Sequence, residues 1–234
     1  IHGRSGPSLP RLEQKGMVLL VWKWLRSRWL QILVHTGALL PLVWIAWQYT
    51  QGLFLIDPVR EITTLTGRGA LILLLLMLAC TPIYTVFGVK QVKRLRRPLG
   101  LYAFLYASLH FATFVWLDYG FDLELLVEAI FAQRYVVAGL ISGLILLALA
   151  ITSTRGWQKR LGKNWKRLQR LVYLAGILAV VHFAWLVKDI RVPLQYGAVL
   201  ALLLILRLPR VRAAARAARR WLRHRLSPSS SASL

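Results

Sequence analysis

The chain has 234 residues, of which 57% are apolar and 17% charged, and 31 Lys/Arg against 8 Asp/Glu give it a net charge of +23. Soluble domains carry about 45–50% apolar and about 25% charged residues, so a water-soluble globule is excluded. A charge this high would suit a nucleic-acid binder, but the cations sit in short segments between long apolar blocks, which is the pattern of membrane topology. Nucleic acid is therefore not expected as a partner.

In chain order, residues 1–15 are rich in Gly, Pro and Arg and read as a disordered arm, with Met17 a candidate start. The apolar run 18–25 is too short and too closely flanked by cations for the core of a signal peptide. Crossing about 30 Å of hydrocarbon takes about 20 residues. On that basis the sequence predicts six spans, at residues 29–49, 69–89, 99–117, 135–152, 171–187 and 192–208. The last is short and is expected to stand upright or thin the bilayer. Pro41 and Pro82 are expected to kink the first two spans. The predicted fold class is all-α, a polytopic membrane helical bundle. It comprises a cytoplasmic arm 1–28, a membrane domain 29–208 and a basic cytoplasmic tail 209–234. No internal repeat is evident, and no Walker, Rossmann or phosphate-loop motif. Cys80, the lone cysteine, allows no intrachain disulfide and no cysteine-based metal site, and reads as a small core residue.

The charges assign the two sides. The arm, the loop 90–97, the segment 155–170 and the tail from Arg207 hold 6, 5, 7 and 8 Lys/Arg, which is 26 of 31. Arg60, Arg68, Arg134, Lys188 and Arg191 fall on the other side, together with every acid except Glu13. The positive-inside rule then predicts that both termini are cytoplasmic. The tail reads as an anchor on anionic headgroups, with a cytosolic partner as the lesser reading. The acidic outer segment 118–128 is a docking candidate, or simply the outer charge bias.

Three histidines, His35, His110 and His182, lie inside predicted spans, where an ionisable group is costly and is by default a functional candidate. The alternative for any one of them is an interhelical hydrogen bond. At 1.5 Å per residue, His110 lies about 16 Å and His182 about 18 Å from the basic side, so both are expected level and near mid-membrane. Ala103 and Ala107 share the face of His110, as Ala175 and Ala179 share that of His182. These strips suit either a flat macrocycle or close helix packing. Two level histidines on such strips favour the macrocycle, as axial ligands of one haem iron, with His110 and His182 also the predicted metal ligands. His35, about 9 Å in, is a candidate for a second, inner cofactor or quinone site.

Several motifs in order are familiar: Thr66-Gly67-Arg68, Arg96-Arg97-Pro98-Leu99-Gly100-Leu101-Tyr102, Ser108-Leu109-His110, Thr152-Ser153-Thr154, Leu161-Gly162-Lys163-Asn164-Trp165 and Leu171-Val172-Tyr173-Leu174. From about residue 29 to 208 the chain resembles the haem-binding membrane subunits of bacterial protein-methionine-sulfoxide reductase systems, the MsrQ family, within the ferric-reductase-like transmembrane group. The resemblance implies a multi-pass b-type cytochrome of the bacterial inner membrane that also binds FMN. It further implies that electrons come from the quinone pool and pass to a periplasmic molybdopterin-dependent methionine-sulfoxide reductase catalytic subunit, for repair of oxidised periplasmic proteins. His110 and His182 match the family's haem ligands, and His35 matches a histidine that recurs in its first span. One position departs: the family usually has a further histidine thirteen residues before the deep one of the fifth span, and here that residue is Gln169. An amide is a poor axial ligand, so an inner haem is either absent or held differently. Arg96, Arg97 and Arg170 are the cations nearby that could meet haem propionates or a flavin phosphate.

No residue set resembles a substrate-cleaving site, so the chain reads as an electron-transfer subunit. The alternatives are a ferric reductase or oxidase-type carrier, and a small membrane transporter. The short tail after residue 208 is expected to leave no room for the flavin/nicotinamide domain of the former. The lack of a visible repeat and of deep acidic residues argues against the latter.

Overall fold

The structure is a computed structural model describing residues 11–54 and 56–226, with side chains at 28–54, 56–219 and 221. The start of the expected arm (1–10) and the Ser-rich end (227–234) lie outside the described residues. Ten α-helices follow one another: α1 (Arg11–Thr50), α2 (Pro58–Phe87), α3 (Arg96–Ala112), α4 (Leu123–Ala132), α5 (Arg134–Ile151), α6 (Arg155–Leu161), α7 (Lys163–Leu168), α8 (Val172–Leu186), α9 (Arg191–Ile205) and α10 (Pro209–Leu226). No strand occurs among the described residues, as the predicted all-α class requires. Five helical segments are long and apolar enough to cross a membrane, or six if the bent pair α9 and α10 counts as one. The protein is a multi-pass membrane protein.

Local chemistry sets the helix ends. Asp57 caps α2 by accepting from the Arg60 amide at 3.0 Å, and Pro58 occupies the first turn, where its missing N–H costs nothing. Gly88, at φ +76°, closes α2 in the left-handed conformation that glycine adopts without strain. Asp122 caps α4 by accepting from the amides of Glu124 and Leu125. Both α1 and α2 continue through Pro41 and Pro82.

The core is centred on α2, where Leu74 and Leu78 are almost wholly buried beside Cys80, whose thiol donates to the Leu76 carbonyl. Outward faces carry Leu, Val and Trp, for example Leu40, Val43 and Trp44 on α1, as suits a lipid solvent. Two antiparallel hairpins dominate the packing, α2 with α3 and α5 with α8.

Two expectations change. Residues 11–28, read as arm, continue the first span as one helix, α1. The sixth span is shorter than read: α9 has 15 residues, about 22 Å long, and turns by 72° into α10. Pro209 explains the break, because its ring excludes the carbonyl of Ile205 from a continuing helix and it offers no N–H. Arg207 ties the corner to the core by donating to the Tyr173 hydroxyl at 2.6 Å and to the Leu78 carbonyl.

Candidate functional site

His110 stands near the end of α3, just before a π-helical turn, Thr113–Asp118, and His182 stands near the end of α8. π-turns inside helices are frequent at functional sites. The structure brings the two imidazoles together, with ring centroids 6.0 Å apart and planes crossed at 85°. Each ring also bonds to the helix that pairs with its own. His110 Nδ1 donates to the Thr63 carbonyl of α2 at 2.9 Å, and His182 Nδ1 donates to the Tyr135 carbonyl of α5 at 2.7 Å. A carbonyl can only accept, so the proton is on Nδ1 in both rings and Nε2 is the bare nitrogen. Two metal–imidazole bonds of about 2 Å each, with half a ring at either end, span about 6 Å. The separation of the rings therefore fits one metal held by both.

The expectation that the histidines are level holds, but their depth does not. Tyr135 is the second residue of α5, and α8 ends four residues beyond His182. The pair thus lies toward the acidic end of the bundle and not at its middle. The alanine strips divide. Ala103 and Ala175 are wholly buried by helix packing, Ala175 with its carbonyl accepting from the Ser142 hydroxyl, so there the packing alternative holds. Ala107 and Ala179 are only partly buried.

The other candidates stay apart from the pair. Arg96 and Arg97 stand exposed at the start of α3, about 20 Å of helix below His110, and Arg170 stands exposed about 18 Å below His182. The cations near the pair are Arg68, with its guanidinium 6.0 Å from the Phe183 ring, and Arg134, 5.9 Å from the Trp185 ring. His35 on α1 is exposed and shares a 2.8 Å hydrogen bond with the Tyr102 hydroxyl, the arrangement of an interhelical tie. Gln169 turns onto α5, donating to the Leu149 carbonyl and the Thr152 hydroxyl, both at 3.3 Å. Among the described residues no group of three or more His, Cys, Asp or Glu could hold a metal ion.

Sequence reasoning missed the partners of the histidines and the symmetry behind them. Gly67 backs His110 and Gly139 backs His182, each one turn after the accepting carbonyl. Shifting the sequence by 72 residues carries Thr63 to Tyr135, Gly67 to Gly139 and His110 to His182. The same shift carries Leu99, Ala103, Ala107, Phe111 and Ala112 onto Leu171, Ala175, Ala179, Phe183 and Ala184. The two hairpins are a gapless internal repeat, contrary to the expectation that none exists. Matching at a fixed shift of 72 would have found it.

The family model for the ferric reductase like transmembrane component matches residues 66–180, which holds most of both hairpins. A relative from Xanthomonas campestris pv. campestris, a protein-methionine-sulfoxide reductase heme-binding subunit MsrQ, is 48% identical over 179 residues, covering 73% of this chain and 82% of the relative. The same-named proteins of Xanthomonas axonopodis pv. citri and Xanthomonas oryzae pv. oryzae are 47% and 46% identical over 180 residues, with 74% and 82% covered. The chain belongs to the MsrQ family. The name of these MsrQ relatives describes haem binding and a subunit role in a methionine-sulfoxide reductase. Within the family frame, His110 and His182 are the histidine rings that the described MsrQ bundle brings together, each with its Nδ1 bonded to a carbonyl.

Proposed function

We propose that the protein is the haem-carrying electron-transfer subunit of a methionine-sulfoxide reductase system, with His110 and His182 as the two axial ligands of a b-type haem. The observation that carries the reading is the pair of imidazoles 6.0 Å apart, each with its Nδ1 committed to a carbonyl. Haem supplies a one-electron couple whose potential the axial ligands and their partners set. Arg68 and Arg134, on the side of the pair, are suited to its propionates. The helices partly bury both rings, and the two carbonyls hold the imidazoles as neutral, Nδ1-protonated ligands.

The direction of transfer follows from charge and depth. With the basic end in the cytoplasm, the pair lies nearer the periplasmic face of the inner membrane, where it serves an acceptor outside. Electrons enter from the quinone pool and leave to a periplasmic molybdopterin-dependent catalytic subunit, which uses them to repair oxidised proteins. The exposed acids Asp118, Glu124 and Glu128 at that end are the docking candidates. FMN, if bound, belongs with the arginines of the basic end. Both termini are cytoplasmic in this reading.

A reduced-minus-oxidised spectrum of the purified protein tests the proposal. A low-spin b-type signature lost from His110→Ala and from His182→Ala supports it. A colourless protein would return the transporter alternative, since the internal repeat removes one argument against it.

A further inference from the structure

Each histidine of the pair is matched to a glycine on the neighbouring helix. A Cβ built on Gly67 would sit 2.9 Å from His110 Nδ1 and 3.0 Å from its Cε1. A Cβ on Gly139 would sit 2.7 Å from His182 Nδ1 and 2.9 Å from Cε1. These separations are shorter than van der Waals contact allows, so any side chain at either position pushes the ring off. Each glycine also follows by one turn the carbonyl that accepts from Nδ1, namely Thr63 or Tyr135. In an α-helix that carbonyl already accepts from the amide four residues on, which belongs to the glycine itself. The missing Cβ lets the imidazole approach the groove and share the carbonyl with the helix amide and, at Thr63, with the Thr66 hydroxyl 3.1 Å away.

We infer that Gly67 and Gly139 are positioning residues, a duplicated pair that fixes the tautomer and plane of both imidazoles toward one metal. The inference rests on the ligand assignment proposed above. The repeat makes it more than a packing coincidence: carbonyl, glycine and histidine recur together at the 72-residue shift, while Gly69 and Gly143 find no glycine at theirs. Two copies of one cradle, facing from α2 and α5, leave the rings crossed at 85°. Donation from Nδ1–H to a carbonyl also makes the ring a more basic ligand, and outer partners of this kind typically contribute about 10–100-fold in metal affinity. A more basic ligand favours the oxidised metal, so the cradle holds the reduction potential down.

The experiment uses the full chain, purified in detergent, as wild type and as Gly67→Ala, Gly139→Ala and Gly143→Ala. Gly143 lies on α5 with nothing within 4 Å of its added Cβ, so it controls for the backbone effect of alanine. Three quantities are read: haem-to-protein ratio during titration with haemin, reduction potential, and the largest g-value of the oxidised low-spin centre, which reports the angle between ligand planes. The expected result is haem affinity about tenfold or more lower for Gly67→Ala and Gly139→Ala. Haem that remains shows a raised potential and a shifted g-value, and Gly143→Ala matches wild type. Wild-type affinity, potential and g-value in both cradle variants overturn the inference. If they accumulate too poorly to measure, Gly67→Ala/His110→Ala and Gly139→Ala/His182→Ala decide: recovery on removing the ring places the clash at the imidazole, and continued failure places it elsewhere and overturns the inference. His110→Ala and His182→Ala alone separate the two levels. Unchanged spectra in those single variants defeat the ligand assignment itself, whereas their loss beside normal glycine variants defeats only the cradle.

Discussion

The two ends of the bundle differ in how faithfully the internal repeat is kept. At the acidic end the repeat keeps its glycine, its histidine and the Phe-Ala that follows it, and the product is a pair of imidazoles held in the same way from opposite sides. At the basic end the same shift pairs Gln169 with Arg97, and neither is a metal ligand of the histidine kind. His35 is there, but on α1, outside the repeat, and tied to Tyr102. In the proposed reading both halves of the repeat at the acidic end serve one group, whereas the basic end has no such pair. The basic end instead uses its polar groups as struts: Arg207 to Tyr173 and Leu78, Trp165 to the Thr152 carbonyl, and Gln169 to α5.

That contrast can be broken or sharpened by substitution. The largest effect is expected from His110→Ala or His182→Ala, each of which should reduce the rate of electron transfer along the proposed route to background. His35→Ala should keep most of that rate, and equal loss in all three would erase the distinction between the ends. Next comes Arg207→Leu, which leaves the Tyr173 hydroxyl and the Leu78 carbonyl without their donor. The cost should be about 1–3 kcal/mol, seen as a lower thermal midpoint. The haem spectrum of the protein that stays folded should not move. Tyr106→Phe removes the hydroxyl that donates to the Ala38 carbonyl at 2.7 Å and binds α1 to α3. Within a membrane bundle such a bond contributes about 0.6–2 kcal/mol, so a smaller drop in midpoint is expected. The smallest effect belongs to Gln169→His. With Arg97 at the repeated position and the side chain at 169 turned onto α5, one added imidazole should leave the haem-to-protein ratio unchanged. A rise in that ratio would give the basic end a centre of its own.

Much of this was legible from residues alone. Apolar blocks and the sorting of charge fixed the class and the order of spans, because lipid constrains composition more tightly than water does. The two histidines could be matched from their equal distances to the basic boundary and their shared alanine spacing. Their depth was misjudged because the count ran from one side only. The start of the fourth span was read to within one residue of α5, but a count from the basic side did not show that Tyr135, at that start, lies beside His182. The last span was overread because hydropathy continues through Leu208 while Pro209 has already ended the helix at Ile205. The cradles were missed for another reason. They use backbone carbonyls and absent side chains, which leave no mark on charge or hydropathy. Only the spacing between Gly67 and Gly139 hints at them.

The central claim is that one iron lies between the rings of His110 and His182. Titration of the purified protein with haemin, followed by low-temperature electron paramagnetic resonance, tests it most directly. The prediction is saturation at one haem per chain and a single strongly anisotropic low-spin signal, as crossed imidazole planes require, with no such signal from either alanine variant. Failure to bind haem, or a low-spin signal that survives the loss of either imidazole, would contradict it.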